Sequence, residues 1–146
     1  MLSAAVDQAI EDLKKPGCGD TIFKAGLPDP VVVLQNLVDG GIYGSITFKD
    51  LGQGTGAEEA RNRRLVIPVR GVTITINTYN DSTNVVAYWN DGYASVNAIT
   101  LIHELGHAFN DLFGKGSSTI ENDVRFVGKM NMDAEDRNAK KTKPCE

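Results

Sequence analysis

The sequence predicts a single α+β domain that spans residues 1–146. Apolar residues recur at helical spacing near the start of the chain and again in its second half, and between these regions they alternate with polar residues. A chain of 146 residues can bury one core but seldom divides into two domains. We therefore expect a small sheet with helices before and after it in the sequence.

Two helices are predicted before the sheet. In the first, over residues 2–15, apolar side chains repeat at helical spacing until Pro16 stops the helix. The second begins with Asp29 as its N-cap and Pro30 at its first helical position, and it ends at Gly40. Neither helix carries residues that suggest chemistry.

Alternating apolar residues predict strands at residues 45–49 and at Val72–Asn77. Residues 64–69 are also strand-like, although Pro68 has no N–H and confines that segment to an edge, a bulge or an end. The glycine-rich residues 50–60 are predicted to form a loop.

Helices return after a turn at residues 79–83 and a short extended segment at residues 85–89. Ser95 is the expected N-cap of a long helix that ends before Gly114. A last helix is expected over residues 133–141, where positive charge suits the C-terminal end.

Composition excludes several classes of function. The chain is 41% hydrophobic and 23% charged, as ordinary soluble proteins are, and its net charge is -4. Because it has no dense basic face with interleaved aromatic residues, we expect no nucleic-acid partner. No apolar run approaches the roughly 18 residues that cross a bilayer, so we expect no membrane partner, and we expect a monomer.

Both histidines of the chain lie in the pentapeptide His103-Glu104-Leu105-Gly106-His107. On a helix the two imidazoles are one turn apart on one face, where both can reach one metal ion. Glu104 lies about 100° around the helix, so it misses the ion but can contact a water bound to it. Gly106 leaves room for another segment to approach the helix. A helix with two satisfied structural histidines is disfavoured, because burying Glu beside His without a metal is costly.

This pattern is the zinc-binding and general-base kernel of a metallopeptidase, so Zn²⁺ is the expected cofactor. Zinc lowers the pKa of its water toward 7, and Glu104 can take the proton and pass it to the leaving amine.

Zinc needs a third protein ligand, which must be a carboxylate because the chain offers no other histidine and no nearby cysteine. The metzincin pattern is excluded, since Asn110 and Phe113 stand where it requires Gly and His. We rank Glu135 first, because a glutamate on the last helix can face the histidines if the two helices cross. Asp123, in a loop-like sequence, ranks second.

Two other carboxylates rank lower as the third ligand. Glu121 follows Ser118 by three residues, which is the spacing of a capping box at a helix start. Asp111 shares the helix of the histidines, and one helix would then have to present three ligands over more than two turns.

Residues that contact the substrate are less clearly marked. Val72–Asn77 fits an edge strand that holds an extended peptide by backbone pairing, and it fits an internal core strand equally well. Tyr79, Tyr88 and Tyr93 are candidate oxyanion donors, although packing explains each of them as well.

The pentapeptide resembles that of the zincin superfamily. More narrowly, residues 101–120, LIHELGHAFNDLFGKGSSTI, followed by Asp123, Glu135 and Asn138, are similar to small zincin-like domains at the C-terminal ends of large bacterial Rhs-repeat polypeptides. The opening LKKPGC of residues 13–18 and the terminal Pro-Cys also match those domains. The resemblance implies a minimal zincin-like fold, in which a small twisted mixed sheet packs on an active-site helix and a C-terminal helix follows.

Two cysteines, Cys18 and Cys145, lie near opposite ends of the chain. A bridge between them would tie the terminal segments together and stabilise the fold by ~4 kcal/mol in the chain-entropy model. The alternative is two unrelated thiols. The resemblance supports the bridge, and it implies a secreted or extracellular domain released from a larger precursor, although no signal peptide is recognisable in the sequence.

Together these expectations describe a zinc-dependent endopeptidase, gluzincin-like in its third ligand, that acts on a protein or peptide substrate. The alternative is a zinc-stabilised binding or interaction domain without catalysis. A structural zinc site has four protein ligands, whereas a catalytic site leaves the fourth position to water. A hydrolase of a non-peptide amide would use the same residues.

Overall fold

The computed structural model describes residues 3–50, 52, 57–62, 71–77, 94–126 and 129–146. Within these ranges the chain is an α+β protein with five helices, a three-stranded mixed sheet and a two-stranded ribbon. The helices are α1 (Ser3–Leu13), α2 (Gly19–Ile22), α3 (Pro30–Asp39), α4 (Ala94–Phe113) and α5 (Met132–Thr142). The strands are β1 (Gly44–Lys49), β2 (Ala57–Arg61), β3 (Val72–Asn77), β4 (Val124–Phe126) and β5 (Lys129–Met130), and a 3-10 turn (Lys143–Cys145) follows α5.

The helices predicted from apolar spacing are present as α1, α3, α4 and α5. Helix α3 begins as predicted, because the Asp29 side chain accepts a hydrogen bond from Val31 N at 2.8 Å. It ends at Gly40, whose φ of 69° lies in the left-handed region that glycine adopts without strain. Helix α5 is capped by the side chain of Asn131.

Strand β3 lies between β1 and β2 in the sheet. It runs parallel to β1, with Gly44 opposite Val72, and antiparallel to β2, with Ala57 opposite Ile76. Residues that lie opposite each other on paired strands share a face of the sheet. The fully buried Ile74 of β3 lies opposite Glu59 of β2, so Glu59 belongs to the covered face.

Helix α4 packs on β2 and β3, α1 packs on α4, and α3 packs on β1. The side chains that meet between α4 and its neighbours have no more than 7% of their surface exposed. They are Ala5, Val6, Ala9 and Leu13 of α1, Val72, Ile74 and Ile76 of β3, and Ala98, Leu101, Ile102, Leu105, Ala108 and Phe109 of α4. Apolar burial therefore fixes α4 more firmly than any other helix. None of the described helices is both long and apolar enough to cross a membrane.

Several predictions about local structure are wrong. The predicted loop at residues 50–60 contains β2, whose sequence AEEAR lacks the apolar alternation of a strand but still pairs along β3. Val72–Asn77, whose pattern fitted an edge strand and an internal strand equally well, is the central strand, with partners on both sides. It is therefore not an edge strand that could hold a substrate. Helix α4 starts at Ala94, so Ser95 is its second residue and not its N-cap.

The strand predicted at residues 64–69, the turn at 79–83, the extended segment at 85–89 and the three candidate oxyanion tyrosines lie outside the described residues.

After α4, residues 117–123 cross the helix at Gly106, and we call this segment the strap. A Cβ atom added at Gly106 would lie 2.7 Å from Ile120 Cβ and 3.3 Å from Ser118 Oγ, so the position has no space for a side chain. Ser118 Oγ also donates a hydrogen bond to the carbonyl oxygen of Gly106 at 2.7 Å. The predicted close approach to Gly106 is thus confirmed.

Replacing Gly106 with Ala tests this crossing. In an ordinary helix interior the change would stabilise the protein by about 1 kcal/mol through helix propensity. Because the added methyl meets Ile120, we expect instead a loss of about 1–3 kcal/mol from overpacking. Urea unfolding of both proteins measures the sign, and a gain in stability would contradict the crossing.

Candidate metal centre

Helix α4 presents both histidines at the border of its buried face. Leu101, Ile102 and Leu105 are fully buried, while the side chains of His103 and His107 are 16% and 17% exposed. The two imidazole Nε2 atoms lie 3.1 Å apart. The helix therefore directs both nitrogens to one point that solvent can reach.

Asp123, at the end of the strap, completes a group of three candidate ligands. Its Oδ2 lies 2.8 Å from His103 Nε2, and its Oδ1 lies 3.4 Å from His107 Nε2. One ligand atom from each of the three residues fits within 4.8 Å of the others, so the group could hold a metal ion. Ligand atoms on a tetrahedron with bonds of about 2.0–2.1 Å are separated by about 3.3 Å, so the observed distances suit such an ion.

Helix α4 holds the strap on one side. The Asn110 side chain accepts a hydrogen bond from Ser118 N at 2.7 Å and donates one to the carbonyl oxygen of Ile120 at 2.9 Å. Asn110 stands where metzincins have glycine, and here it fixes the strap that carries Asp123.

Helix α5 holds the other side of the strap. The buried Asn138 side chain accepts a hydrogen bond from Glu121 N at 2.8 Å and donates one to Glu121 O at 2.9 Å. Lys141 donates a hydrogen bond to the carbonyl oxygen of Thr119. The backbone N–H of Asn131 donates one to the carbonyl oxygen of Asp123. The position of Asp123 thus depends on α5 as well as on α4.

Glu121 serves this attachment and lies outside the ligand group. Its carboxylate accepts two hydrogen bonds from Arg137 and one from Lys141, and these hold the pKa of the Glu121 carboxyl at about 2. The capping-box interpretation is wrong, because no helix begins between Ser118 and Glu121, both of which are described.

Glu104, the predicted general base, follows His103 on α4 and has 7% of its surface exposed. Burial raises the pKa of its carboxyl well above the usual range, and the negative charges of Asp123, Glu59 and Glu135 raise it further. A buried acid surrounded by other acids favours the approach of a cation, which would stabilise its ionised form.

Glu135, the first-ranked third ligand, lies beyond Asp123 and outside the group of three. Burial raises the pKa of the Glu135 carboxyl to about 7, and a hydrogen bond with Asp123 contributes. Burial opposes ionisation of Asp123, but hydrogen bonds with His103, His107 and Glu135 outweigh it and lower the pKa of Asp123. The helix predicted to supply the ligand thus supplies a hydrogen-bond partner of Asp123, the second-ranked residue.

Strand β2 brings a further acid to α4. Burial raises the pKa of Glu59 to about 9, and a hydrogen bond with the Asp111 carboxyl and its negative charge add to the shift. Asp111 also accepts a hydrogen bond from Arg61 Nε at 3.1 Å. Asp111, the last-ranked candidate ligand, therefore has its hydrogen-bond partners on β2. Glu59 could not be identified from the sequence, because it lies in residues 50–60, which are predicted to form a loop.

The Cys18–Cys145 disulfide is present, as predicted, and both cysteines are fully buried. It joins the segment before α2 to the turn after α5. Comparison of the chain with models of known protein families, with curated proteins and with solved structures finds no match in any of the three.

Glu59→Gln tests the half-buried acid pair of Glu59 and Asp111. The pKa of Glu59 is raised from 4.5 to about 9, so the folded protein keeps a proton that the unfolded chain releases between these values. The wild type therefore loses stability from this group as pH rises from about 4.5 to about 9. Glutamine does not titrate, so we expect Glu59→Gln to stabilise the metal-free protein more at pH 8 than at pH 5, by about 1–3 kcal/mol.

Urea unfolding at the two pH values measures this difference. Glu58→Gln is the matched control, because Glu58 is the exposed neighbour on the opposite face of β2 and should show no such dependence. Equal effects of the two substitutions would show that the pKa of Glu59 is not raised in the folded protein.

Proposed function

We propose that this protein is a zinc-dependent peptidase in which His103, His107 and Asp123 bind the metal and Glu104 is the general base. The observation that carries the proposal is the group of three ligand atoms within 4.8 Å of one another, on a helix that also presents a buried glutamate beside them. Two imidazoles and one carboxylate are a donor set typical of catalytic zinc.

When bound, zinc supplies a Lewis acid that polarises a peptide carbonyl and lowers the pKa of water. The residues of the chain supply the rest. Glu104 takes a proton from the attacking water and delivers it to the leaving amine. Its burial restricts it to one position, and the charge of a cation beside it would offset the burial that favours its neutral form.

The number of ligands favours catalysis over a structural role. Across the described ranges, the candidate group has three members. A structural zinc site closes its fourth position with a protein ligand, whereas a catalytic site keeps that position for water and substrate. The partial exposure of both histidines gives a substrate access to the group.

Strand β2 is the best placed of the described strands to align a peptide. It lies at one edge of the three-stranded sheet, is antiparallel to β3 and packs directly on α4. A peptide paired with such an edge would run along the ligand-bearing helix. Val72–Asn77, the strand that the sequence offers for this role, is internal to the sheet.

A minimal zincin-like fold is part of the proposal. It is supported by the mixed sheet on α4, by the edge strand β2 that packs on this helix, and by a C-terminal helix whose N-cap residue Asn131 donates a hydrogen bond to Asp123. The buried disulfide supports a domain that works in an oxidising compartment, such as the outside of a cell.

Replacing Glu104 with Gln tests the general base. Glutamine cannot accept the proton, so we expect zinc to stay bound at about one equivalent while peptide hydrolysis falls by about 10²–10⁴. Zinc content by elemental analysis and cleavage of a quenched peptide library measure the two effects. Glu11→Gln, on the exposed surface of α1, is the control and should cleave the peptides at the wild-type rate. Similar cleavage rates for the two variants would contradict the role of Glu104 as general base.

Replacing Asp123 and Glu135 in turn tests the third ligand. Asp123→Ala removes a ligand and should abolish tight zinc binding. Glu135→Ala removes a hydrogen bond to that ligand and should weaken binding only about 10–100-fold. Competition with a chromophoric chelator gives both affinities. A larger loss in Glu135→Ala than in Asp123→Ala would restore Glu135 as the ligand.

A further inference from the structure

We propose that the Cys18–Cys145 disulfide assembles the metal centre, so that the chain binds zinc tightly only after the two cysteines have been oxidised. The inference rests on the metal site proposed above and concerns its regulation. It is carried by the way both ends of the disulfide attach to the strap.

The N-terminal side of the disulfide reaches the strap through α2. After Cys18 and α2, Ile22 O accepts a hydrogen bond from Thr119 N at 2.9 Å, and Lys24 N donates one to Ser117 O at 2.9 Å. The ring of Phe23 packs on the ring of Phe109 in α4, with centroids 4.5 Å apart. This side of the strap is therefore fixed to the apolar core.

The C-terminal side reaches the strap through α5, which ends at the turn that holds Cys145. Asn138 binds the backbone of Glu121, Lys141 binds the carbonyl of Thr119, and Asn131 N binds the carbonyl of Asp123. The strap thus lies between two attachments, and the disulfide joins the distal ends of both.

Helix α5 has little else to hold it in place. Of its eleven residues, all described, the buried ones are Ala134, Asn138 and Thr142. Because so small an apolar area contributes little stabilisation, α5 depends on hydrogen bonds, on the exposed ion pairs of Glu121, and on the covalent bond beyond its end. Segments with few buried apolar contacts open at low free-energy cost. Without the disulfide, α5 should open often and release Asp123 from the histidines.

The oxidation is a thiol–disulfide exchange. Two cysteine thiols react with the disulfide of an oxidant of the thioredoxin-like or glutathione class, and the Cys18–Cys145 bond forms while the oxidant becomes two thiols. Both cysteines are fully buried in the folded protein, so the bond is protected once it has formed. The device therefore acts once, at maturation, and a chain kept in a reducing cytosol would hold zinc weakly.

The experiment compares the disulfide-bonded wild type with the Cys18→Ser/Cys145→Ser double variant. Zinc affinity is measured by competition with a chelator, and local opening by hydrogen exchange of the metal-free proteins. We expect the double variant to bind zinc about 10–100-fold more weakly. It should lose protection in α5 and in the strap while α1, α3 and the first two turns of α4 stay protected.

Val33→Ala is the control for general loss of stability. Val33 is fully buried in α3, away from the strap, so this substitution should lower the melting temperature without changing zinc affinity. If the double variant does not fold, Asn138→Ala with the disulfide intact carries the test. It removes the α5 attachment directly and should also weaken zinc binding at least tenfold.

Equal zinc affinity in the wild type and the double variant would overturn the inference and leave the proposed function standing. If the double variant does not fold, equal zinc affinity in the wild type and Asn138→Ala would have the same meaning. Failure of the disulfide-bonded wild type to bind zinc would overturn both. Weaker binding together with loss of protection confined to α5 and the strap would support the inference.

Discussion

The crossing of the strap over α4 at Gly106 is the constraint on which the site depends. A helix can present two histidines on one face by its own periodicity, but a third ligand has to come from elsewhere in the chain. Here the strap passes so close to α4 that Ile120 occupies the space of a side chain at position 106. This contact, together with the two hydrogen bonds of Asn110, brings Asp123 to the histidines three residues later.

The site concentrates negative charge where water is scarce. Glu104 feels the repulsion of Asp123, Glu59 and Glu135, and burial disfavours the ionised form of each of these acids. Without a cation, the two histidines and protons shared between carboxyl groups reduce that repulsion, as at Glu135 and Asp123. A divalent ion would reduce it more, because its charge is larger and can lie between the ligand atoms. The burial and repulsion that raise the pKa values of Glu104, Glu59 and Glu135 would therefore favour a bound cation.

Local periodicity predicted the elements that carry their own signal. The four longer helices, the caps at Asp29 and Gly40, and β3 follow from spacing and turn chemistry. The candidate ligands His103 and His107 follow in the same way. Strand β2 could not be predicted, because AEEAR acquires its strand conformation from pairing with β3. The sequence could not show whether Asp123 or Glu135 lies beside the histidines. Their positions depend on how α5 packs relative to α4, and a loop sets that geometry. Hydrogen bonds of Asn131 and Asn138, two polar residues without a pattern, hold the segment that places Asp123 beside the histidines.

The two halves of the site depend on different forces. His103, His107 and Glu104 lie on α4, whose buried face is part of the apolar core. Their relative positions are therefore kept as long as the protein is folded. Asp123 is held on one side by that core and on the other by a polar helix, through hydrogen bonds and a covalent bond. Such attachments contribute less to global stability than to the position of one ligand. The position of Asp123 and the folding stability are therefore separable in this protein, and a change at α5 can displace this candidate ligand in a chain that is otherwise folded.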